Sequence, residues 1–312
     1  METLFYILVA IQVAAGLFLL WRGIGWLSYV RRRLRTDPGF YTPRTAVLCP
    51  CRGTEPNLER NLLSLCEFQR QNYEVFFILA SESDPAYGVV KRVASASRVK
   101  ATVVIAGPPQ DCSEKVNNLR VAIEQLPPEF EALVFVDSDG RPGKTWLHHM
   151  VAPLYDSRIG ATTTMRWFIP TANNFPSALL AAWNASVVTM LGPHGKNFCW
   201  GGGTAIRRDL FEQIGMLDVW RYSLSDDYSL TMMLERAGRP IVFLPECLIP
   251  SWVQTDYPGL LEFSNRQTLI TRVYRFPMWA SAFATHSLYV LTVVLGLALI
   301  LSLMFQSRPA FQ

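Results

Sequence analysis

An α/β domain built on a mostly parallel sheet, with a transmembrane helix on either side, is the fold class that three features of the sequence predict. The first is the run LFYILVAIQVAAGLFLLW from Leu4 to Trp21, in which Gln12 is the one frankly polar side chain. The second is a similar run from Leu288 to Phe305; both reach the length that spans a hydrocarbon core as a helix. The third lies between them, where short β-branched and aromatic runs alternate with helical patterns, as parallel strands joined by crossover helices do. A chain of 312 residues has room for one or two domains and a sizeable core.

The first apolar run is expected to be a retained anchor over residues 1–30. A cleaved signal peptide carries its positive charge ahead of the apolar stretch, whereas here Glu2 precedes it and Arg31, Arg32, Arg33 and Arg35 follow. Basic residues on the C-terminal flank predict an outside N-terminus and a cytosolic domain from residue 31. Arg266, Arg272 and Arg275 ahead of the second run predict the same side for its start. The net charge of +4 is modest and much of its basic excess adjoins the apolar runs. Contact with anionic lipid is therefore expected, and nucleic acid is not, because no long basic face interleaved with aromatics occurs mid-chain. The cysteines, at 49, 51, 66, 112, 199 and 247, show neither C-x-x-C nor His-flanked metal spacing and are expected as buried, reduced thiols.

Along the chain, strands are predicted at TAVLCP (45–50), EVFFILA (74–80), ATVVIA (101–106) and ALVFV (132–136). Asn57 to Phe68 reads as a helix with Leu58, Leu62, Leu65 and Cys66 on one face, and Ser113 to Gln125 as a Ser-capped helix that groups Val116, Leu119 and Ile123. Half of a nucleotide-binding α/β domain is thus in place by residue 136. Beyond residue 145 the pattern loosens. A strand is expected at GATTTMRW (160–167), helices over Phe175–Leu191 and Asp226–Ala237, and a glycine-rich loop at CWGGGTAIRR (199–208). Pro258 to Phe276 sets Leu260, Leu261, Phe263, Leu269, Ile270 and Val273 against Arg266, Arg272 and Arg275, an amphipathic pattern suited to the headgroup plane. The expected organisation is an anchor to residue 30, a cytosolic domain over 31–257, an interfacial helix over 258–279 and a second span over 280–306.

Carboxylates mark the ends of these strands. In open α/β sheets ligands bind at the carboxyl ends of strands, and Asp137 and Asp139 in VFVDSDGRPG stand at such an end. Spaced i and i+2, they can converge on a hard cation such as Mg²⁺ or Mn²⁺, whose other ligands come from substrate phosphates and water. The same D-S-D-G is also good turn chemistry, and both readings stand on these residues alone. Asp84 ends the second strand, next to Pro85. Asp226 and Asp227 in SDDYSL open a helix, where acids favour the dipole and one of two is free for proton abstraction. Lys115 and Asn118 begin another helix and would offer a cation and an amide to phosphates, or form a solvated helix start. The GGGTA run at 201–205 permits close backbone approach but lacks the spacing of a P-loop.

Taken in order, PCRGTEPNLERNLLSL, YEVFFILASESDPA, EKVNNL, VDSDGRP, GGGTAIRRDLF and SDDYSL resemble the motifs of family 2 type glycosyltransferases, most closely the ceramide glucosyltransferase branch and its bacterial lipid-glycosylating relatives. The resemblance covers residues 45–275. It implies a GT-A, Rossmann-like nucleotide-sugar-binding fold, a UDP-sugar donor and an inverting transfer to a membrane lipid such as ceramide. By position, Asp84 and Lys115 would bind the donor, Asp137 and Asp139 the metal and diphosphate, and Asp227 would be the catalytic base. Trp200 and Gly201 would lie in an acceptor-side loop. Hopanoid, diacylglycerol or polyprenyl lipid acceptors, polysaccharide synthesis, and a degenerate nucleotide-sugar-binding scaffold are the other readings. One departure is visible: where the family carries [RQ]-x-x-R-W, this chain has Arg266, Gln267, Thr268, Leu269 and Ile270, without the Arg-Trp pair. Arg272, nearly one helical turn further on, is the expected substitute at the diphosphate.

Overall fold

The computed structural model describes residues 2–55, 57–69, 71–193 and 195–306. In chain order its first half comprises α1 (Glu2–Arg33), β1 (Thr45–Pro50), α2 (Leu58–Leu65), β2 (Tyr73–Leu79), α3 (Tyr87–Ala96), β3 (Ala101–Ile105), α4 (Glu114–Glu124) and β4 (Ala132–Val136). There follow α5 (Trp146–Val151), β5 (Ala161–Thr163), β6 (Arg166–Pro170), α6 (Phe175–Val188), β7 (Gly203–Arg207), α7 (Arg208–Gln213), α8 (Met216–Trp220), α9 (Asp226–Arg236), β8 (Ile241–Phe243), β9 (Ile249–Val253), α10 (Tyr257–Tyr274) and α11 (Phe276–Gln306). Tyr29–Leu260 form one compact unit and the remainder of the chain another.

Within the larger unit, β3-β2-β1-β4-β7-β5-β8 form a seven-stranded sheet. β3, β2, β1 and β4 run parallel, β7 is antiparallel to both β4 and β5, and β8 is parallel to β5. Every residue of β2, YEVFFIL, is buried, as expected of a central strand covered by helices on both faces. The period of two sends Val47, Cys49, Val75 and Phe77 into a core with Leu62 of α2 and Val90 of α3. It sends Ala46, Leu48, Phe76 and Ile78 to the other face, with Leu119 of α4, Trp220 of α8 and Leu230 of α9.

Two sequence expectations need correction. The single strand expected at 160–167 is broken: β5 joins the large sheet, while β6 pairs with β9 in a separate two-stranded ribbon. The buried Thr164 and Met165 carry the chain between them, with Thr164 N bonded to Gly203 O. The glycine-rich stretch is also only partly a loop, since Gly203–Arg207 is strand β7, in register with Val136–Ala132 of β4. Its glycines misled because strand propensity disfavours them, whereas cross-strand pairing holds them.

In the smaller unit, α1 and α11 are long and apolar enough to cross a membrane, with mean hydropathy of 2.3 and 2.6. Gln12, the lone polar residue of the first run, donates through Nε2 to Thr292 Oγ1 of α11 at 2.7 Å. An apolar surrounding rewards such a bond between helices, because the alternative is an unsatisfied amide. All six cysteines are free thiols; Cys112 is half-buried and the others are buried.

Candidate active site

The site lies at the carboxyl edge of the parallel strands. Because β7 is antiparallel to β4, its first residue, Gly203, sits beside the last residue of β4, Val136. The strand end bearing Asp137 and the glycine run thereby meet. Helices α4 and α9 also begin here. Ser113 and Ser225 cap them, their hydroxyls accepting from Val116 N at 3.3 Å and Tyr228 N at 3.2 Å.

Lys115, in the first turn of α4, lies at the centre. Its Nζ is 2.8 Å from Asp137 Oδ1 and 3.3 Å from Asp226 Oδ2. Burial disfavours the ammonium, yet Asp137, Asp226 and Asp227 outweigh it and hold the Lys115 pKa above its ordinary value. Burial likewise opposes the Asp137 carboxylate, but Lys115 and Arg166 prevail and its pKa is lowered. Asp226 is pushed the other way, to about 6, first by burial and then, against the pull of Lys115, by the charges of Asp227 and Asp137.

The glycine backbone closes over this cluster. A Cβ on Gly201 would fall 2.6 Å from both Asp226 Oδ2 and Lys115 Nζ, and one on Gly202 would fall 2.5 Å from Asp137 Oδ2. Both positions are therefore barred to larger residues while the carboxylates keep their places. Gly201 N donates to Asp227 Oδ2 at 3.2 Å, and Asp227 Oδ1 accepts from Tyr228 N at 2.7 Å and from the Ser225 hydroxyl. Asp227 is thus half-exposed and oriented by three fixed donors, whereas Asp226 is buried and ion-paired. Trp200 is anchored through its backbone N to Thr163 Oγ1 at 2.9 Å and Thr204 Oγ1 at 3.1 Å.

Other expected site residues are dispersed. Asp84 Oδ1 accepts from Gly53 N and Ala86 N, each at 2.8 Å, and so ties together the loops that leave β1 and β2. Asn118 is buried, and its Oδ1 has no hydrogen-bond partner. Arg272 belongs to the smaller unit, where its guanidinium lies 5.3 Å from the Trp279 ring centroid. One residue escaped the sequence reading. Arg166, at the start of β6, forms an ion pair with Asp139 Oδ2 and lies 5.9 Å from the Trp200 ring centroid. Its signal was a lone charge in MRWFIP, at the head of an otherwise uncharged stretch.

Among the described residues no group of three or more His, Cys, Asp or Glu side chains gathers to hold a metal by itself. Hard divalent ions in phosphate-transfer sites need only one or two carboxylates plus substrate oxygens. Asp139 Oδ1 is buried without a hydrogen-bond partner, and the missing Cβ at Gly202 leaves space at Asp137 Oδ2. The residues present fit a divalent cation.

This fold has solved counterparts. A mannosyltransferase from Pyrobaculum calidifontis, determined in complex with GDP-Man and Mn²⁺, superposes with a TM-score of 0.57 over 96% of this chain and 92% of that one, at 18% identity. The architecture is the GT-A fold, a mostly parallel mixed sheet with helices. Residues 4–307 match the model of glycosyl transferase family 21, and the chain belongs to that family. Ceramide glucosyltransferase 1 of Caenorhabditis elegans is 30% identical over 118 residues, a match that takes in 36% of this chain and 25% of that one.

Proposed function

We propose that the chain is an inverting hexosyltransferase that moves a sugar from a UDP-sugar to a membrane lipid of the ceramide type, from the cytosolic side. The observation that carries this reading is the convergence of Lys115 on Asp137 and Asp226 beneath the glycine run, at the edge where such sheets bind nucleotides. The similarity to a ceramide glucosyltransferase supports the choice of donor and acceptor, and the two apolar helices support a membrane acceptor.

Asp137 and Asp139 would hold Mn²⁺ or Mg²⁺ together with the donor diphosphate. That ion would stabilise the negative charge that grows on the leaving group. Asp139, now paired with Arg166, would be the carboxylate to hold the ion, and the Arg166 guanidinium would then be available to a phosphate oxygen, a geometry that arginine matches well. Lys115 supplies a second fixed cation, held in place by Asp137 and Asp226. Arg272, placed by sequence where the family's Arg-Trp motif is absent, is proposed as a further guanidinium for the diphosphate. Asp84 fixes the loop of Gly53 on the nucleotide side. Asp227 accepts the acceptor hydroxyl's proton: it is half-exposed, and Gly201 N, Tyr228 N and Ser225 aim its carboxylate. A single displacement, with the base opposite the leaving group, inverts the anomeric centre.

The test is mass spectrometry of total lipids from cells with and without the gene. A hexosylated lipid that disappears with the gene, and returns with the wild-type chain but not with Asp227→Asn, is the expected outcome. An unchanged glycolipid profile would refute the reading.

A further inference from the structure

The larger unit carries an apolar surface that the chemistry above does not use. From Trp167 to Gly195 the sequence contains no Asp, Glu, Lys or Arg, and most of this stretch forms the ends of β6 and the whole of α6. Helix α6 buries Pro176, Ser177, Leu180, Asn184 and Val188. Its other face bears Phe175, Ala178, Leu179, Ala182 and Ser186, at spacings of one continuous helical stripe. Phe175 is 64% exposed and Leu179 is 44% exposed. The neighbouring ribbon repeats the pattern: Phe168 and Ser251 are buried, whereas Trp167 and Trp252 are exposed. In the β6–β9 register Trp167 stands opposite Pro250 and Ile169 opposite Trp252, so the ribbon's outward side is apolar and aromatic.

Helix and ribbon are joined at Arg166, whose carbonyl accepts from Asn184 Nδ2 at 2.7 Å, and again around Thr255. Asn174 Nδ2 and Ser177 Oγ donate to Thr255 O at 3.1 and 3.2 Å, Thr255 N donates to Ser177 Oγ at 3.0 Å, and Thr171 N donates to Val253 O at 3.0 Å. Thr255 lies two residues before α10, through which the chain continues into the apolar α11. The apolar stripe is thus fastened to the segment from which the chain leaves for its membrane span.

We propose that the exposed face of α6, together with Trp167 and Trp252, is a lipid-contacting surface that rests in the headgroup–acyl boundary of the bilayer. Three features select lipid over a protein partner. A protein docking site carries a polar rim and charge complementarity, and this stripe has no charge of its own. Tryptophans with one apolar and one polar edge are concentrated at bilayer interfaces. The Arg141 guanidinium, 4.5 Å from the Trp252 ring centroid, places a cation at the border of the patch, where anionic headgroups would meet it. Such contact would bring the glycine run and Asp227 to the depth at which a lipid headgroup hydroxyl is presented. The inference rests on the membrane-lipid reading of the function, but its test needs no turnover.

The full chain, with the half-buried Cys112 changed to Ser, is reconstituted in nanodiscs of phosphatidylcholine and phosphatidylglycerol. Ala178→Cys, Ala182→Cys and, as a control on the exposed side of α3, Ser95→Cys are labelled singly with an environment-sensitive fluorophore. Labels at 178 and 182 are expected to lose about half or more of their emission to lipids bearing a nitroxide near the headgroup, and to be shielded from aqueous iodide. The label at 95 should behave in the opposite way. Iodide quenching at 178 and 182 equal to that at 95 would overturn the proposal. So would protection from both quenchers, which would mean that protein covers the face. An inactive enzyme whose labels are still lipid-quenched would refute the proposed reaction and leave the surface standing.

Discussion

Adjoining residues Asp226 and Asp227 have opposite surroundings, and their chemistry follows from that. Asp227 is oriented by three donors and half-exposed, so Asp227→Asn is expected to lower kcat about 10²- to 10⁴-fold while calorimetric donor affinity stays nearly unchanged. Asp226 is buried against Lys115 with its pKa raised to about 6. A carboxyl with a raised folded pKa binds its proton more tightly folded than unfolded. Its stability contribution is therefore present below the unfolded value of about 4 and is lost as pH rises through about 6. In metal-free protein, the melting temperature of Asp226→Asn relative to wild type is expected to rise between about pH 4 and about pH 6 and to level off above that; a constant difference across that window would contradict this. Arg166 yields a prediction of unusual sign. Because it is paired with Asp139, Arg166→Ala is expected to tighten Mn²⁺ binding without nucleotide and to weaken binding of the UDP-sugar, both read by calorimetry. Weaker binding of Mn²⁺ alone would show that Arg166 does not compete with the ion.

At the scale of elements, the start of β7 decides whether the site can form. Gly202→Ala places a methyl 2.5 Å from Asp137 Oδ2, and donor affinity should fall by at least about tenfold, or about 1.4 kcal/mol, with the circular dichroism spectrum unchanged. The α1–α11 pair gives a second case: Gln12→Leu removes the bond to Thr292 and is expected to cost about 1 kcal/mol in detergent-solubilised protein. The first four strands were legible because buried parallel strands read as near-continuous apolar runs, as in VFFIL and ALVFV. The antiparallel half was not. Gly203 has poor strand propensity and is held by pairing with Val136, and the break at Thr164 and Met165 leaves no mark in GATTTMRW. In the site, the acids were legible from their places at strand and helix ends. Which of Asp226 and Asp227 meets Lys115, and that Arg166 meets Asp139, depends on the return of β7 beside β4 and on the pairing of β6 with β9, which no local pattern encodes.

At the scale of the molecule, a GT-A domain is continuous at both ends with helices apolar enough to span a bilayer. The arginines at 31–35 and at 266–275 place the domain on the cytosolic side in our reading. A cysteine at exposed Ser95 should then react with a membrane-impermeant maleimide in inside-out vesicles and stay unreacted in sealed right-side-out ones. The central claim is sugar transfer to a lipid at this site, and the most direct measurement is turnover by the purified full chain in lipid nanodiscs. With radiolabelled UDP-glucose, Mn²⁺ and ceramide, the account predicts a labelled, inverted glycolipid that is lost on chelation of the metal and in Asp227→Asn. Failure to form labelled lipid from any metal-supplemented pairing of UDP-sugars with ceramide, hopanoid, diacylglycerol or polyprenyl phosphate would contradict it.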